Sequence, residues 1–167
     1  MNFSGCQGDG YRFDMHLFYA IMKPMNYLKE LKIKYVHSKI KNPLQGQIKN
    51  TQELVGLFKD LSKEDKEKVV SIHFNARMQI NCFEILSIGG VDLALVSSRD
   101  VFKGVLLTNS TGFILIHNHP SGDPTSSKDD LEIIKELKEQ SKIMKLDFID
   151  FVIIGDNGKF WSWRFEI

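Results

Sequence analysis

The chain has 167 residues, 43% of them hydrophobic and 26% charged, a balance that suits one ordinary globular domain and leaves no case for wholesale disorder. With 22 basic and 21 acidic residues the formal charge is +1, so no global field draws in a polyanion such as nucleic acid. Cys6 and Cys82 are the only cysteines; they fit neither a disulfide framework nor a paired-cysteine zinc site, which favours a reducing compartment. The apolar stretch around His16 to Met22 is far short of the roughly 20 residues of a membrane span, and Asp9 and Asp14 stand where a signal peptide would carry basic residues. A cytoplasmic protein without membrane attachment is expected.

In chain order, residues 1–26 mix Gly5, Gly8 and Gly10 with aromatics and show no sustained period. They are set apart as an unassigned N-terminal segment, with one domain over 27–167. The alternation of Leu31, Ile33 and Tyr35 predicts a strand within Leu28 to Ile40, a candidate edge that could pair with another copy. Asn50 and Glu53 have capping-box spacing ahead of Leu54, Val55, Leu57, Phe58 and Leu61, which predict one helix face ending near Leu61. Ser62, followed by Glu64 and Asp65, reads as a second helical start. Val69 to Phe74 and Gln79 to Ile88, separated by Asn75-Ala76-Arg77, predict an antiparallel hairpin closing at Gly89-Gly90.

Ser97 or Ser98 can cap a helix carrying Val101, Phe102, Val105 and Leu106, and Thr111-Gly112 separates it from a buried strand, Phe113 to Ile116. That strand runs into His117-Asn118-His119-Pro120-Ser121-Gly122-Asp123-Pro124, where proline and glycine enforce a loop. Ser126 or Ser127 can cap the next helix, whose inner face is Leu131, Ile133, Ile134 and Leu137. The strand Phe148 to Ile154, the turn Asp156-Asn157-Gly158 and a last strand with Phe160 and Trp161 follow. Hairpins pair antiparallel and strand-helix-strand units permit parallel pairing, so an α/β sandwich with a mixed sheet is expected.

Polar chemistry concentrates between His117 and Asp130. Residues two apart on an extended segment project to one side, so the imidazoles of His117 and His119 can converge on one ion. Asp130, eleven positions on, can be returned by the loop so that the first turn of the next helix presents its carboxylate to the same point. Two neutral imidazoles and one carboxylate suit zinc, one per chain, with a fourth position left for water, the arrangement of a catalytic site. Asp130 also lies in a capping spacing from Ser127, a role compatible with ligation. His16, His37 and His73 are read as ordinary packed or surface histidines, and Trp161 and Trp163 as packing or edge residues.

These residues resemble a known family. His-x-His-Pro followed by Ser127 and Asp130 in the spacing Ser-x-x-Asp is similar to the JAB/JAMM (MPN-plus) metalloprotease motif. The run His117 to Pro124 resembles the signature of the RadC-like subfamily, long called DNA repair proteins. The likeness extends from Glu67 to about Trp161 and includes Gly89-Gly90, Arg99-Asp100-Val101-Phe102 and Ile153-Ile154-Gly155-Asp156. It implies a cytidine-deaminase-like (JAB1/MPN) α/β/α sandwich and a zinc-bound water polarised by an upstream glutamate. Glu67 is the candidate general base, with Glu64 and Glu84 as rivals, and Ser127 would donate a hydrogen bond to the oxyanion of the tetrahedral intermediate. The chain departs from the family pattern at Asp150-Phe151, where Asp-His is usual, at Ser126, where proline is common, and at Lys68-Val69. The helix-hairpin-helix segment of longer relatives cannot be recognised.

The resemblance implies a zinc-dependent JAMM-type metallopeptidase or isopeptidase acting on a peptide or protein substrate. The alternative is a DNA-repair- or mobile-element-associated factor that works through partner or DNA binding with a structural metal; near-neutral charge counts against direct DNA contact. An HNH nuclease is tempting only because the letters His-Asn-His are consecutive, whereas those nucleases disperse the three residues. A zinc nucleoside deaminase is set aside because its His-x-Glu and Pro-Cys-x-x-Cys ligands are missing.

Overall fold

The computed structural model describes residues 31–36, 48–89 and 96–165. Residues 1–26, Cys6, His16 and His37 lie outside these. The chain divides into two compact units, Met1–Tyr35 and Val36–Ile167. In the first, the expected strand does not form over Leu31–Tyr35: these residues have no regular structure, and Leu31, Ile33 and Tyr35 are all exposed. Alternation in sequence becomes a strand only where a neighbouring strand supplies the ladder.

The second unit opens with α1, Thr51–Phe58, whose cap Asn50 accepts from the Glu53 amide at 2.9 Å. Leu54 and Val55 are its buried residues. A 3-10 turn, Lys59–Lys63, follows, and no helix starts at Ser62. The Ser62 hydroxyl donates backwards to the Lys59 carbonyl at 2.9 Å, closing the preceding turn. The chain then enters the hairpin of β1, Lys68–Phe74, and β2, Ile80–Ile88. Its turn is held by Asn75, whose Oδ1 accepts from the amides of Arg77 and Gln79.

Ser97, not Ser98, caps α2, Ser98–Leu107, by accepting from the Asp100 amide. The strand β3, Gly112–Asn118, is buried along its whole length. Ser127 caps α3, Lys128–Met144, in a capping box with Asp130. The chain ends in β4, Asp147–Ile154, and β5, Phe160–Ser162.

The five strands form a mixed sheet in the order β2-β1-β3-β4-β5, antiparallel except for the parallel pair β3 and β4 that flank α3. Its two faces build two cores. On one, Leu54 and Val55 of α1 cover Val70, Ile72, Ile114, Ile116 and Val152. On the other, Val101, Phe102 and Val105 of α2 and Ile134 and Leu137 of α3 cover Val69, Phe113, Leu115, Phe151 and Ile153. This is the expected α/β/α arrangement, with helices on both faces of the sheet. One residue expected on the inner face of α3 lies outside, Leu131 being 48% exposed. Ile133 is only partly buried.

Candidate metal centre

The central strand β3 alternates between the cores, so His117 follows Phe113 and Leu115 onto the α2–α3 face while Asn118 follows Ile114 and Ile116 onto the α1 face. His117 is fully buried, its ring 5.2 Å from that of Phe151. One residue past the strand, His119 folds back toward it, with 3.1 Å between the two Nε2 atoms. The capping box of α3 turns Asp130 inward: its Oδ2 accepts from the Ser127 amide at 2.6 Å and from the Ser127 hydroxyl at 2.7 Å. The carboxylate then stands 3.3 Å from His117 Nε2 and 3.7 Å from His119 Nε2.

The expected trio therefore comes together, with one ligand atom from each residue within 4.8 Å of the others, a grouping that could hold a metal ion. His119 Nδ1 lies 2.8 Å from the Asp123 carbonyl. A proton donated there leaves Nε2 as the free lone pair facing the centre. Burial pushes His117 down to about 3, against the pull of the Asp130 charge. The Asp130 carboxylate raises His119 against its burial. Burial alone would raise Asp130, but the two imidazoles and the Ser127 donors hold it below the usual carboxylate range. At neutral pH, His117 is thus a neutral imidazole and Asp130 an anion, the forms a cation requires.

Asp130 Oδ1 tests the fit of a cation, since it is buried without a hydrogen-bond partner; His117 Nδ1 is buried without one as well. A buried anionic oxygen left so is costly, and a divalent ion among two imidazoles and a carboxylate satisfies it. The residues fit a metal. The orphaned Nδ1 belongs to the ring that lies against Phe151, the position where the sequence departs from the Asp-His pattern.

Among the three glutamates weighed, Glu67 immediately precedes β1 and brings its Oε1 to 3.8 Å from His117 Nε2. Glu64 is paired with Lys68 at 2.6 Å. The Glu84 carboxylate lies over Gly104 of α2, beside His73. A cleft of about 770 Å³ opens over the trio, bordered by Glu67, Ile88, His119, Ser121, Ser127 and Asp130. Ser127 lines it, although its hydroxyl proton points to Asp130.

Sequence reasoning singled out neither the Asn118 side chain nor the loop clamp. Asn118, also fully buried, bonds the backbone at the first residue of β1 and just upstream of it. The loop after His119 is pinned where the Asp156 amide donates to the Gly122 carbonyl at 2.9 Å. Gly122 (φ +79) packs against Asp156, while the Cα of Gly155 faces Gly122 and Pro124. The only sequence signal for the clamp is the pair of glycines.

The other histidine expected to be ordinary, His73, is buried beneath α2 between Ser71 and Thr108, each 3.0 Å from a ring nitrogen. Trp163 stacks on Phe148 at 5.4 Å beneath the Lys138 ammonium, a packing role. No helix among the described residues is long and apolar enough to cross a membrane.

Helices on both faces of a mixed sheet, and a central strand that ends in a His-His-Asp cluster beneath a cleft, define an α/β domain with a site able to hold a metal ion. The family model for the RadC-like JAB domain matches residues 48–166, and the chain belongs to that family. It is similar to a UPF0758 protein of Methanosarcina acetivorans, 36% identical over 110 residues that make up 66% of this chain and 48% of that protein. A UPF0758 protein of Desulforamulus reducens is 38% identical over 116 residues, 69% of this chain and 51% of the relative. One of Pelodictyon phaeoclathratiforme is 39% identical over 97 residues, 58% of this chain and 44% of the relative. The chain spans about half the length of these curated relatives.

Proposed function

We propose that this domain is a zinc-dependent hydrolase of JAMM type that cleaves an amide bond in a peptide or protein, with His117, His119 and Asp130 holding the metal. The observation that carries this reading is the Glu67 carboxylate, 3.8 Å from His117 Nε2 at the edge of the cleft. A structural metal site has no use for a carboxylate beside its open side, whereas hydrolysis needs a base there. When bound, zinc supplies Lewis acidity that brings the pKa of water toward about 7.

The protein's own groups supply the rest. Glu67 accepts a proton from the attacking water at a carboxylate oxygen and returns it to the leaving nitrogen. His119 keeps its lone pair on the centre because the Asp123 carbonyl holds Nδ1. Ser127, at the cleft wall, can turn its hydroxyl from Asp130 to the oxyanion that develops on the scissile carbonyl. The cleft, about 770 Å³, is within the size range of sites that bind small or peptide-sized ligands.

Elemental analysis of purified protein is expected to give about one zinc per chain, abolished by His119→Ala. Glu67→Gln should keep the zinc and lose cleavage of a fluorogenic peptide library. A metal-free protein, or a zinc-loaded wild type that cleaves no peptide, would refute the proposal, the second result leaving the metal a structural role as in the partner-binding alternative; full turnover by Glu67→Gln would remove Glu67 as the base.

A further inference from the structure

We infer that Asn118 is a positioning residue for Glu67, a proposal that rests on the reading of Glu67 as general base. The backbone ladder between β1 and β3 reaches only the pair Val69 and His117 at this end. One residue further, the Asn118 side chain replaces it. Its Oδ1 accepts from the Lys68 amide at 2.9 Å, and its Nδ2 donates to the Lys66 carbonyl at 3.1 Å and toward the Glu64 carbonyl at 3.5 Å. These partners lie on both sides of Glu67. From the β2 side, the Gly89 amide donates to the Glu67 carbonyl at 2.9 Å. The backbone that carries the carboxylate is thus gripped from two strands.

The residue type follows from the bonds. The grip needs an acceptor for one amide and a donor for carbonyls on one short planar group, and asparagine offers both. Aspartate keeps the acceptor but turns a second oxygen toward two carbonyl oxygens. Leucine or alanine leaves the part-buried Lys68 amide without its partner. Because Asn118 is the inner residue of His-x-His, the strand end that delivers His117 to one face delivers this amide to the other. The separation between the histidine and the glutamate is therefore fixed through a single peptide unit.

The test uses Asn118→Ala and Asn118→Asp in the full chain. Amide hydrogen exchange is read at Lys68 in metal-free protein, and the Glu67 carboxyl carbon-13 shift is read as zinc is added. In Asn118→Ala, exchange at Lys68 should rise about tenfold or more while Ile114 to Ile116 keep their protection and zinc still binds at about one per chain. Asn118→Asp should keep Lys68 protected. Both variants should lose the zinc-induced shift of the Glu67 carboxyl. With a cleavable peptide, kcat should fall about 10- to 100-fold with KM within about twofold, and Asn118→Ala should slow Glu67→Gln no further. Unchanged Lys68 exchange in Asn118→Ala, a retained Glu67 response in either variant, or equal slowing by Asn118→Ala with and without Glu67 would overturn the proposal. Absence of any peptide cleavage by the wild type would instead count against the hydrolase reading, and the exchange and carbon-13 results would still decide the role of Asn118.

Discussion

Gly155→Ala is the sharpest probe of how the fold holds the centre. Gly155 adopts φ −109 and ψ −166, an extended conformation that alanine tolerates, so the perturbation is contact alone. A Cβ there would stand 2.4 Å from the Gly122 carbonyl oxygen and 2.7 Å from Pro124 Cδ. Neither atom is the far end of a flexible side chain, so the loop after His119 must retreat by roughly 1 Å to restore ordinary contact. Retreat breaks the bond from the Asp156 amide to Gly122, worth about 1 kcal/mol, and adds an overpacking cost of about 1–3 kcal/mol. The expected loss of stability in metal-free protein is roughly 2–4 kcal/mol.

The same retreat carries away the Asp123 carbonyl that holds His119 Nδ1 at 2.8 Å. Loss of such a partner typically weakens metal binding about 10- to 100-fold. Zinc affinity, measured by competition with a chelator, should fall by that factor. Gly158→Ala is the control: it has φ +74 but nothing within 4 Å of an added Cβ. It should cost about 1–2 kcal/mol through backbone conformation and leave zinc affinity alone. Wild-type zinc affinity in Gly155→Ala, with stability reduced as expected, would refute the idea that the loop clamp orients His119.

Ser127→Ala removes the cap of α3, worth about 1 kcal/mol, and the hydroxyl bond to the buried Asp130 carboxylate, worth about 1.5–3 kcal/mol. Urea denaturation of metal-free protein should show a loss of roughly 2.5–4 kcal/mol, largely restored by Ser127→Thr; a loss under about 1 kcal/mol would show that the capping box does not set the Asp130 carboxylate. His73 contributes to acid stability. Burial lowers it from 6.5 to about 4, so between these values the unfolded chain binds the extra proton and stability falls as the pH falls. The contribution is complete above about pH 6.5 and is lost progressively down to about pH 4. At 1.36 kcal/mol per unit it amounts to about 3 kcal/mol. The difference in stability between pH 7 and pH 4.5 should be smaller in His73→Gln than in the wild type by about that order, and an equal difference would refute it.

Much of this architecture is legible in the chain because its signals are local. Asn50, Ser97 and Ser127 announce helices through side chains that bond amides three residues ahead. The mixed sheet follows from one hairpin and one strand-helix-strand unit, and His117, His119 and Asp130 meet as their spacing suggests. Local signals fail where the deciding partner is elsewhere. Ser62 has the letters of a forward cap, but its hydroxyl closes the turn behind it. Leu131 sits at helical spacing from Ile134 yet lies in the first turn of α3 and stays 48% exposed. The strand expected around Ile33 has the right period and no ladder.

The centre depends on the same distinction. Two histidines two residues apart mark a shared face, which the pleat of any strand enforces. What holds Glu67 near them is a bond from Asn118 to an amide 50 residues upstream, and a backbone amide leaves no trace in the side-chain pattern. The pleat also explains why the two jobs fall to neighbours. His117 needs the α2–α3 face, where α3 delivers Asp130, and the segment leading into β1 needs fastening on the α1 face. Only the residue next to His117 on the same strand can reach that face at the same height. The order His-Asn-His is therefore a consequence of building the centre at the end of a strand buried on both sides, and any replacement at position 118 must be judged by the bonds it makes to residues 64–68.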